Sequence, residues 1–587
     1  LKDIFHIMHM SISNNIVLDR WCTTVTTLIE KNPGQPKIHR MRAIHIVEAE
    51  LQFYSKSVYI QKMMKTVEKH NLVTDEQYGG RANRQAQSAV LNKVMYFDIT
   101  RQLRTPSAFM DDDARACYDR IVTSLSSLEC RKWGLSRNIT DFTNKFIESQ
   151  NYHIRSAYGI SHEHYSFHPD SPTQGSGQGV SWAGPRWTNT GTTICNIMNK
   201  TNTGMRFVDP TNTIEVTKTA DLFVDDTATG VTGNNVPEGE SALRHLQHDE
   251  QKHALLLYAS GHLLALYKCI FYFYTFKLKG TKFVHTTIDE TPGELKLKPK
   301  FNGYEEVIKR LEPDEAHETL GIFISITNNQ AKQLEVLKAI IKDWVRKIQS
   351  SPLSNNDKFV AYKDYLEAKL LYVLPLCSLT YVQSQELDKL LSPILLNAHS
   401  FQRNSNRNVL YMSDGLGGLK IYSIFHLQGV SKLQFFLKHY REHDTTRKLL
   451  KTSLRYTQLE SGLSSSIFQH NFYKAYYLVT PTWITNIWQY MTECHTQIHE
   501  CDPWVYVPPR EGDFFLMDIV LRSNLPQDVQ EIFNRVRINM RLITASDIVC
   551  AGSSTMILPN IYHGISNRVS NLNWPNVYTL PKQWQNI

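Results

Sequence analysis

Two short acidic segments, each entered by apolar residues, constrain this chain more than any other feature. The first is MDDDARACYDRI at residues 110–121, and the second is LFVDDTATG at residues 222–230. A glycine-rich segment, GSGQGVSWAGPRW, lies between them. An apolar strand that leads directly onto carboxylates is costly unless a metal ion or hydrogen bonds neutralise the charge. The pattern therefore predicts strand-borne acidic turns that meet at one site.

The three aspartates Asp113, Asp225 and Asp226 are the candidate metal ligands. A two-metal phosphoryl-transfer site needs hard oxygen ligands that converge on two Mg²⁺ ions about 4 Å apart, and Mn²⁺ is a substitute. The two-residue period of a strand places Asp111 on the face of Asp113 and turns Asp112 away. For each turn taken alone, the alternative is a charged surface loop.

Tyr118, Gln178 and Gly179 are candidate substrate-binding residues near these acids. An aromatic ring five residues after Asp113 would collide with a ribose 2′-hydroxyl and so favour deoxynucleotides. Gly179 lets a base or sugar approach the backbone, and Gln178 offers both a donor and an acceptor. The alternatives are a core tyrosine and a flexible connection.

Charge and cysteine usage limit the class of protein. The 587 residues carry a formal charge of +8, and residues 1–104 hold 15 Lys/Arg against 9 Asp/Glu, which suits a polyanionic partner. Nine scattered cysteines favour a reducing, intracellular compartment. The apolar stretch 253–276 reads as a buried helix followed by a strand, so no membrane partner is expected. Residue 1 is Leu with no signal-like segment after it, so we interpret the N-terminus as the edge of a longer product.

Local patterns predict an order of elements along the first 330 residues. We expect helices at 86–101, 141–149 and 185–199, a strand at 106–110, and a hairpin around Asp225. A polar loop is expected at 161–179, and a helix face after the first acidic motif is marked by Ile121, Val122, Leu125 and Leu128. After residue 331 the pattern is mostly helical.

Eight motifs, taken in their order along the chain, resemble those of one enzyme family. They are KIHRMRAIHIVEAEL, EQYGGRANRQAQSAV, DDARACYDRI, GQGVSWAGPRW, FVDD, ALYKC, HETLGIFIS and DGLGGLKI. Over roughly residues 15–460 the chain resembles a reverse transcriptase of the non-long-terminal-repeat (non-LTR, LINE-like) retrotransposon type, related to group II intron maturases. The chain departs from the family pattern at Gly80, where many relatives have an aromatic residue, and at Gly184–Pro185 in place of Ser-Pro.

The resemblance implies an α+β right-hand polymerase fold with fingers, palm and thumb. The divisions would be fingers at 1–105, and a palm at 106–330 with an inserted fingers segment near 130–170 and a primer grip. A helical thumb and post-thumb region at 331–460 and a helical C-terminal extension at 461–587 would follow.

The resemblance also implies roles for individual residues. Asp113, Asp225 and Asp226 would hold the metal ions, and Tyr118 would select deoxyribose. Arg42 would bind the triphosphate, with Lys37 and Arg40 able to share the task, although both could be solvated surface bases. Lys268 would lie near the leaving pyrophosphate, and Leu320 and Gly321 would shape the turn that holds the primer.

The leading hypothesis is an RNA-directed DNA polymerase that extends a primer 3′-hydroxyl with dNTPs. Its partners would be an RNA template, a DNA primer and the RNA–DNA hybrid, and it would be nuclear if it comes from a eukaryotic retroelement. The alternatives are an RNA-directed RNA polymerase, which Tyr118 and Val224 disfavour, and an inactive RNA-binding scaffold.

The segment CHTQIHEC, with Cys494, His495, His499 and Cys501, lacks a standard zinc spacing. The basic run at 438–455 and the row Lys338, Lys342, Arg346 and Lys347 are candidate contacts for a phosphate backbone.

Overall fold

The computed structural model describes residues 2–31, 34–35, 37–38, 41–168, 170, 175–280, 282–498, 510–550, 555 and 572–576. Arg40, His499 and Cys501 lie outside the described residues. The strands are β1 (Thr23–Glu30), β2 (Met41–Ile46), β3 (Ser107–Asp113), β4 (Asn151–Ser156), β5 (Gly159–Ser166), β6 (Met205–Val208), β7 (Glu215–Lys218), β8 (Ala220–Phe223), β9 (Asp226–Thr232), β10 (Ile270–Tyr274), β11 (Phe276–Lys279), β12 (Lys282–His285), β13 (Lys296–Leu297), β14 (Glu306–Val307), β15 (Lys309–Arg310), β16 (His317–Thr319) and β17 (Ile322–Ile324).

Helices occupy both halves of the chain and dominate the second. They are α1 (Lys2–Ser13), α2 (Ala49–Ser55), α3 (Lys65–Lys69), α4 (Ala86–Leu103), α5 (Thr123–Lys132), α6 (Arg137–Glu148), α7 (Ala183–Thr201), α8 (Ala242–Ala259), α9 (Ala331–Gln349), α10 (Asn355–Ala361), α11 (Ala368–Val373), α12 (Tyr381–Ala398), α13 (Asn408–Tyr411), α14 (Ile424–Arg441), α15 (Thr445–Ser461), α16 (Trp483–Glu493), α17 (Leu516–Arg522) and α18 (Gln527–Asn539). Wide π-type turns link α2 to α3 and α10 to α11. Among the described residues, none of these helices is both long and apolar enough to cross a membrane.

The central sheet has five strands in the order β15-β10-β3-β9-β8. Its strands pair antiparallel except for β10 and β15, which run parallel. Most of β3 is buried, because the sheet is covered by helices on both faces. The register places Asp113 of β3 opposite Asp226 of β9, so both acidic motifs end at the same edge.

A second sheet of four strands has the order β2-β1-β4-β5. Its middle pair, β1 and β4, is parallel, and the two outer pairs are antiparallel. The sheet therefore joins the first fifty residues to a hairpin that arises about one hundred residues later. The helix α6, which leads into β4, packs beside α5 and α1.

Helix α4 crosses behind the central sheet as the most buried helix of the first half. Sixteen of its eighteen residues are buried, as expected for a helix that is covered on all sides. Its polar side chains bind neighbours from distant parts of the chain. Gln102 Nε2 donates to the Ser453 carbonyl (3.1 Å), and Asp98 accepts from the Trp483 backbone nitrogen (2.7 Å). One apolar cluster extends from α4 and β10 into α9, α12, α14 and α16, which fixes the helical half against the sheet.

The predicted α+β class with a mostly helical second half is confirmed, and so are most of the predicted elements. The helices expected at 86–101, 141–149 and 185–199 correspond to α4, α6 and α7. The hairpin around Asp225 is β8–β9, and the apolar stretch 253–276 does pass from a helix into β10. The strand expected at 106–110 continues through Asp113, because β9 pairs with it along that length.

Two local expectations are wrong. The loop expected at 161–179 contains strand β5, which is solvent-exposed along most of its length and so shows no apolar alternation. Leu128 does not belong to a buried helix face, since it is 61% exposed. Helix α5 instead buries Ser126, Ser127 and Cys130. The cause is Arg186 of α7, a buried guanidinium whose Nε donates to Ser126 Oγ (2.8 Å), so that small polar residues must face it.

Gly429 marks a close helix contact that can be tested. A Cβ at this position of α14 would overlap the ring of Tyr490 of α16. We expect Gly429→Ala to lower the free energy of unfolding by about 1–3 kcal/mol, measured by denaturant titration. Gly415→Ala is the matched control, because a Cβ there meets no atom within 4 Å, and its effect should stay within about 0.5 kcal/mol. Equal effects of the two substitutions would contradict the packing described.

Candidate functional site

The β8–β9 hairpin presents its acidic pair on a strained two-residue turn. Phe223 pairs with Asp226, which leaves Val224 and Asp225 at the centre of the turn. Val224 has a φ of 60°, a left-handed conformation that is unfavourable for a β-branched residue. Its carbonyl accepts a hydrogen bond from Trp187 Nε1 of α7 (2.7 Å). The tryptophan therefore helps to hold the backbone that carries Asp225.

The segment 76–79 supports the same hairpin from its outer edge. The backbone nitrogen of Tyr78 donates to the Leu222 carbonyl (2.7 Å), and that of Leu222 donates to the Glu76 carbonyl (2.8 Å). A Cβ at Gly79 would lie only 2.6 Å from the Val224 nitrogen, so this position requires glycine. The EQYGG motif thus forms a parallel bridge, Gln77 to Leu222, along the edge of β8. Sequence reasoning did not find this role, because a bridge between segments 145 residues apart leaves no local pattern.

The three candidate metal ligands lie together at one end of the central sheet. Asp113 and Asp226 are register partners, and the Ala114 nitrogen donates to the Asp225 carbonyl (2.9 Å). Burial and then the Asp113 carboxylate raise the pKa of Asp225. Asp226 keeps solvent contact, yet burial by the surrounding protein, followed by the charges of Asp225 and Asp113, raises its pKa to about 7. These carboxylates repel one another, and their hard oxygen atoms suit divalent cations such as Mg²⁺ or Mn²⁺.

Two candidate cationic residues are close to the acids. Lys268 Nζ lies 2.8 Å from Asp113 Oδ2. Burial opposes the lysine charge, but the hydrogen bond to Asp113 and the nearby negative charges of Asp113 and Asp225 together outweigh it and raise the pKa of Lys268. Arg42 is an exposed residue of strand β2 and is near enough to Asp225 for its charge to counter the rise in that carboxyl's pKa. Lys37 is exposed, and Arg40 lies outside the described residues.

Tyr118 is half-buried beside Asp225 and begins a short 3₁₀ turn, Tyr118–Arg120. The glycine-rich segment packs on this turn, since the Ser176 nitrogen donates to the Tyr118 carbonyl (2.8 Å). A Cβ at Gly175 would lie 2.7 Å from the Asp119 backbone. The segment therefore fixes the position of the tyrosine from behind.

Gln178 and Gly179 connect this segment to strand β2. The Gln178 carbonyl accepts from the His45 nitrogen (2.7 Å), and its side-chain Nε2 donates to Asp119 Oδ2 (3.4 Å). Gly179 has a φ of 100°, and a Cβ there would lie 2.9 Å from the His45 carbonyl oxygen. The glycine is therefore required by the close approach of the protein's own strand, a reason that differs from the substrate approach expected from the sequence.

A cleft of about 340 Å³ opens between the acids and the β16–β17 hairpin. Leu320 (φ 51°) and Gly321 (φ 81°) form the tight turn of this hairpin, as the motif predicts. The Leu320 carbonyl accepts from the Tyr372 hydroxyl (2.7 Å), which ties the turn to α11. The cleft is lined by Ala89, Lys93, Asp111, Asp113, Asp226, Lys268, His317 and the hairpin residues 318–321, among others.

Lys93 is a cleft residue that sequence reasoning missed. Its Nζ is bonded to the Asp111 carboxylate and donates to Thr319 Oγ1 (2.9 Å), so it bridges the central sheet and the β16–β17 hairpin. It is 3% exposed. The signal available in the sequence was a single lysine inside the apolar run AVLNKVMYF, where a buried charge requires a carboxylate partner.

Four of the other basic candidates form ion pairs with acids of the chain itself. Lys338 pairs with Glu386 at 2.5 Å, and Arg346 and Lys347 both contact Asp343. In the run 438–455, Arg455 Nη1 lies 2.8 Å from Asp209 Oδ2. The pairs of Lys338, Arg346 and Lys347 are partly exposed and weak enough for a phosphate to replace one partner, whereas Asp209 is buried. Within CHTQIHEC, Cys494 and His495 are described, and the other two predicted candidates are outside the described residues.

The described geometry is that of the right-hand polymerase fold predicted from the sequence. The central antiparallel sheet carries the acids, the β1–β2–β4–β5 sheet stands beside the acidic pair, and a helical region begins with α9 after the β16–β17 hairpin.

Comparison with known proteins found no matching protein family and no matching curated protein. Among solved structures, telomerase from Candida tropicalis in complex with a TWJ fragment of telomeric RNA is 12% identical, covering 76% of this chain and 67% of that chain, with a TM-score of 0.34. Telomerase from Candida albicans in complex with the same kind of fragment is 10% identical, covering 78% and 66%, with a TM-score of 0.35. The chain thus spans about two thirds of the length of these telomerase chains.

The raised pKa of Asp226 gives a testable pH dependence of stability. A free aspartate titrates near 3.9, so a folded-state pKa of about 7 stabilises the fold at low pH, and this contribution is lost as the pH rises from about 4 through 7. In metal-free buffer we expect Asp226→Asn to raise the melting temperature by about 2 °C or more at pH 8 and by less at pH 4.5. Asp289→Asn, at an exposed position, is the control. A gain that is the same at both pH values would show that the neighbouring carboxylates do not cause it.

Proposed function

We propose that the chain is an RNA-directed DNA polymerase that extends a primer 3′-hydroxyl with dNTPs on an RNA template. The proposal rests on one observation. Three carboxylates from two distant motifs meet at one end of an antiparallel sheet, with Tyr118 beside Asp225. Two of them, Asp113 and Asp226, line a cleft that faces the Leu320–Gly321 turn. A retroelement of the non-LTR type is the proposed origin, since the order of motifs is typical of that type.

The metal chemistry is assigned to Asp113, Asp225 and Asp226. Bound Mg²⁺ ions would neutralise charge on the phosphates and make the primer hydroxyl more acidic. The carboxylates hold the ions, and the short, supported hairpin limits their movement. Because the positions of the acids are set by backbone pairing rather than by long side chains, little ordering remains to be done when substrate binds.

The basic side chains near the acids are assigned to binding of the incoming triphosphate. The guanidinium of Arg42 can bind phosphate oxygens through two parallel hydrogen bonds. Lys268 remains protonated near neutral pH, because its pKa is raised, and it can release Asp113 to contact or protonate the leaving pyrophosphate. Lys37 and Arg40 are proposed to extend this basic surface.

The remaining residues are assigned to the sugar and the primer. The ring of Tyr118 would exclude a 2′-hydroxyl, and Gln178 would contact the incoming nucleotide through its side-chain amide. The Leu320–Gly321 turn would hold the primer terminus, with the RNA–DNA hybrid leaving along the helices that follow α9. In this proposal residues 1–105 and the segment near 130–170 form fingers, 106–330 the palm, 331–460 the thumb and post-thumb region, and 461–587 an extension.

Primer extension by the purified chain tests the assignment. With Mg²⁺ or Mn²⁺, an RNA template and a DNA primer, we expect dNTP incorporation that Asp225→Asn lowers by roughly 10³-fold or more, since metal neutralisation supplies several kcal/mol. Asp289→Asn should keep full activity. Equal incorporation by wild type and Asp225→Asn would refute the proposal. Incorporation of rNTPs instead of dNTPs would indicate an RNA polymerase, and RNA binding without incorporation would indicate a scaffold.

Sugar selectivity tests Tyr118 separately. We expect Tyr118→Ala to lower the ratio of kcat/KM for dNTP to that for rNTP by about 10-fold or more, because the ring that excludes the 2′-hydroxyl is removed. Tyr118→Phe keeps the ring and should keep the ratio. The role is wrong if the alanine and phenylalanine variants discriminate equally well.

A further inference from the structure

A second cluster of ionisable side chains lies on the opposite face of strand β3 from the cleft. Asp112 points away from Asp111 and Asp113 towards helix α8, where it meets Glu250 and His253. His253 Nδ1 lies 3.1 Å from Asp112 Oδ2 and 3.7 Å from Glu250 Oε2. All three side chains are buried, with exposed fractions of 3% or less.

The hydrogen bonds of this cluster are incomplete. Both carboxylate oxygens of Glu250 are buried without a hydrogen-bond partner, and so is Asp112 Oδ1. Two carboxylates and one protonated imidazole leave a net charge of −1 in a site closed to water. A buried charge of this kind is costly unless another positive group neutralises it. The Glu250 carboxylate has an ion pair with His253 but no hydrogen bond, so it is free to bind a cation more closely.

We propose that Asp112, Glu250 and His253 bind a structural Zn²⁺ ion. With a neutral imidazole, two carboxylates and a divalent cation give a net charge of zero. One nitrogen and two oxygen ligands suit zinc, whose bonds of about 2.0–2.2 Å put neighbouring ligand atoms about 3.4 Å apart. The observed separations of 3.1 Å and 3.7 Å bracket that value, and all three ligand atoms lie within 4.8 Å of one another.

Cys269, the residue before β10, is buried near the cluster, but its sulfur is not among the ligand atoms that lie within 4.8 Å of one another. Burial, and then the Asp112 carboxylate, raise the pKa of the Cys269 thiol, which keeps this thiol protonated. The thiol donates a hydrogen bond to the Ala265 carbonyl (3.5 Å), so we assign the zinc to the other three side chains alone. An ion held by Asp112, Glu250 and His253 would join β3 to α8, directly behind the residues that face the cleft.

Metal analysis of the full chain tests the proposal. The chain is made without a histidine tag and in an Asp225→Asn background, which removes a ligand of the cleft. This parent protein is produced in zinc-supplemented medium and then exchanged into Mg²⁺ buffer. We expect it to retain about one equivalent of Zn²⁺. Glu250→Gln, which preserves shape and removes the charge, should retain less than about a tenth of this amount. Glu238→Gln, the same change at an exposed loop position, should retain all of it.

Thermal unfolding gives a second readout that does not depend on polymerase activity. A strong chelator should lower the melting temperature of the parent and of Glu238→Gln, and added Zn²⁺ should restore it. The proposal is overturned if the parent holds no zinc and its melting temperature responds to neither treatment. It is also overturned if Glu250→Gln keeps the metal. In either case the cluster is a protonated histidine between two carboxylates. Should Glu250→Gln fail to fold, the measurements on the parent still decide.

Discussion

The pairing of β3 with β9 is the constraint on which the rest of the site depends. It puts Asp113 directly opposite Asp226 and brings Asp225 to the same edge, so that three carboxylates are held together by backbone hydrogen bonds. Like charges opposite one another destabilise a strand pair. The pairing persists because both strands continue into a buried sheet, where apolar residues such as Phe109 and Val231 supply the stabilisation. The repulsion is therefore stored at the edge that faces the cleft, and cations can relieve it.

The turn between β8 and β9 is also locally unfavourable, and contacts on two sides stabilise it. A valine with a left-handed backbone costs free energy, and it survives where the surroundings leave no alternative. Trp187 holds its carbonyl, and the segment 76–79 holds the strand before it. Both supports come from parts of the chain that are distant in sequence from the hairpin. A change that loosens either support would consequently move Asp225 without touching it.

Much of the fold could be predicted from the sequence, because its signals are local. A long helical stretch at α4 and the two-residue turn of β8–β9 each follow from a short run of residues. The grouping of the three acids also followed, since the order of motifs implied it. What could not be predicted depends on distant partners. Lys93 was missed because its partners Asp111 and Thr319 are brought to it by tertiary folding. Strand β5 was missed because a strand exposed on both faces has no apolar period.

Strand β3 carries acids on both of its faces, and the two faces lie in different environments. Asp111 and Asp113 face the cleft, where Lys93 and Lys268 pair with them and solvent can enter. Asp112 faces a closed interior, where water cannot screen its charge. A displacement of β3 along its own axis would alter both faces at once, since alternate residues are rigidly linked. Interactions that hold Asp112 in place on the buried face therefore also help to fix the position of Asp113. The stability of the buried cluster is in this way coupled to the geometry of the cleft.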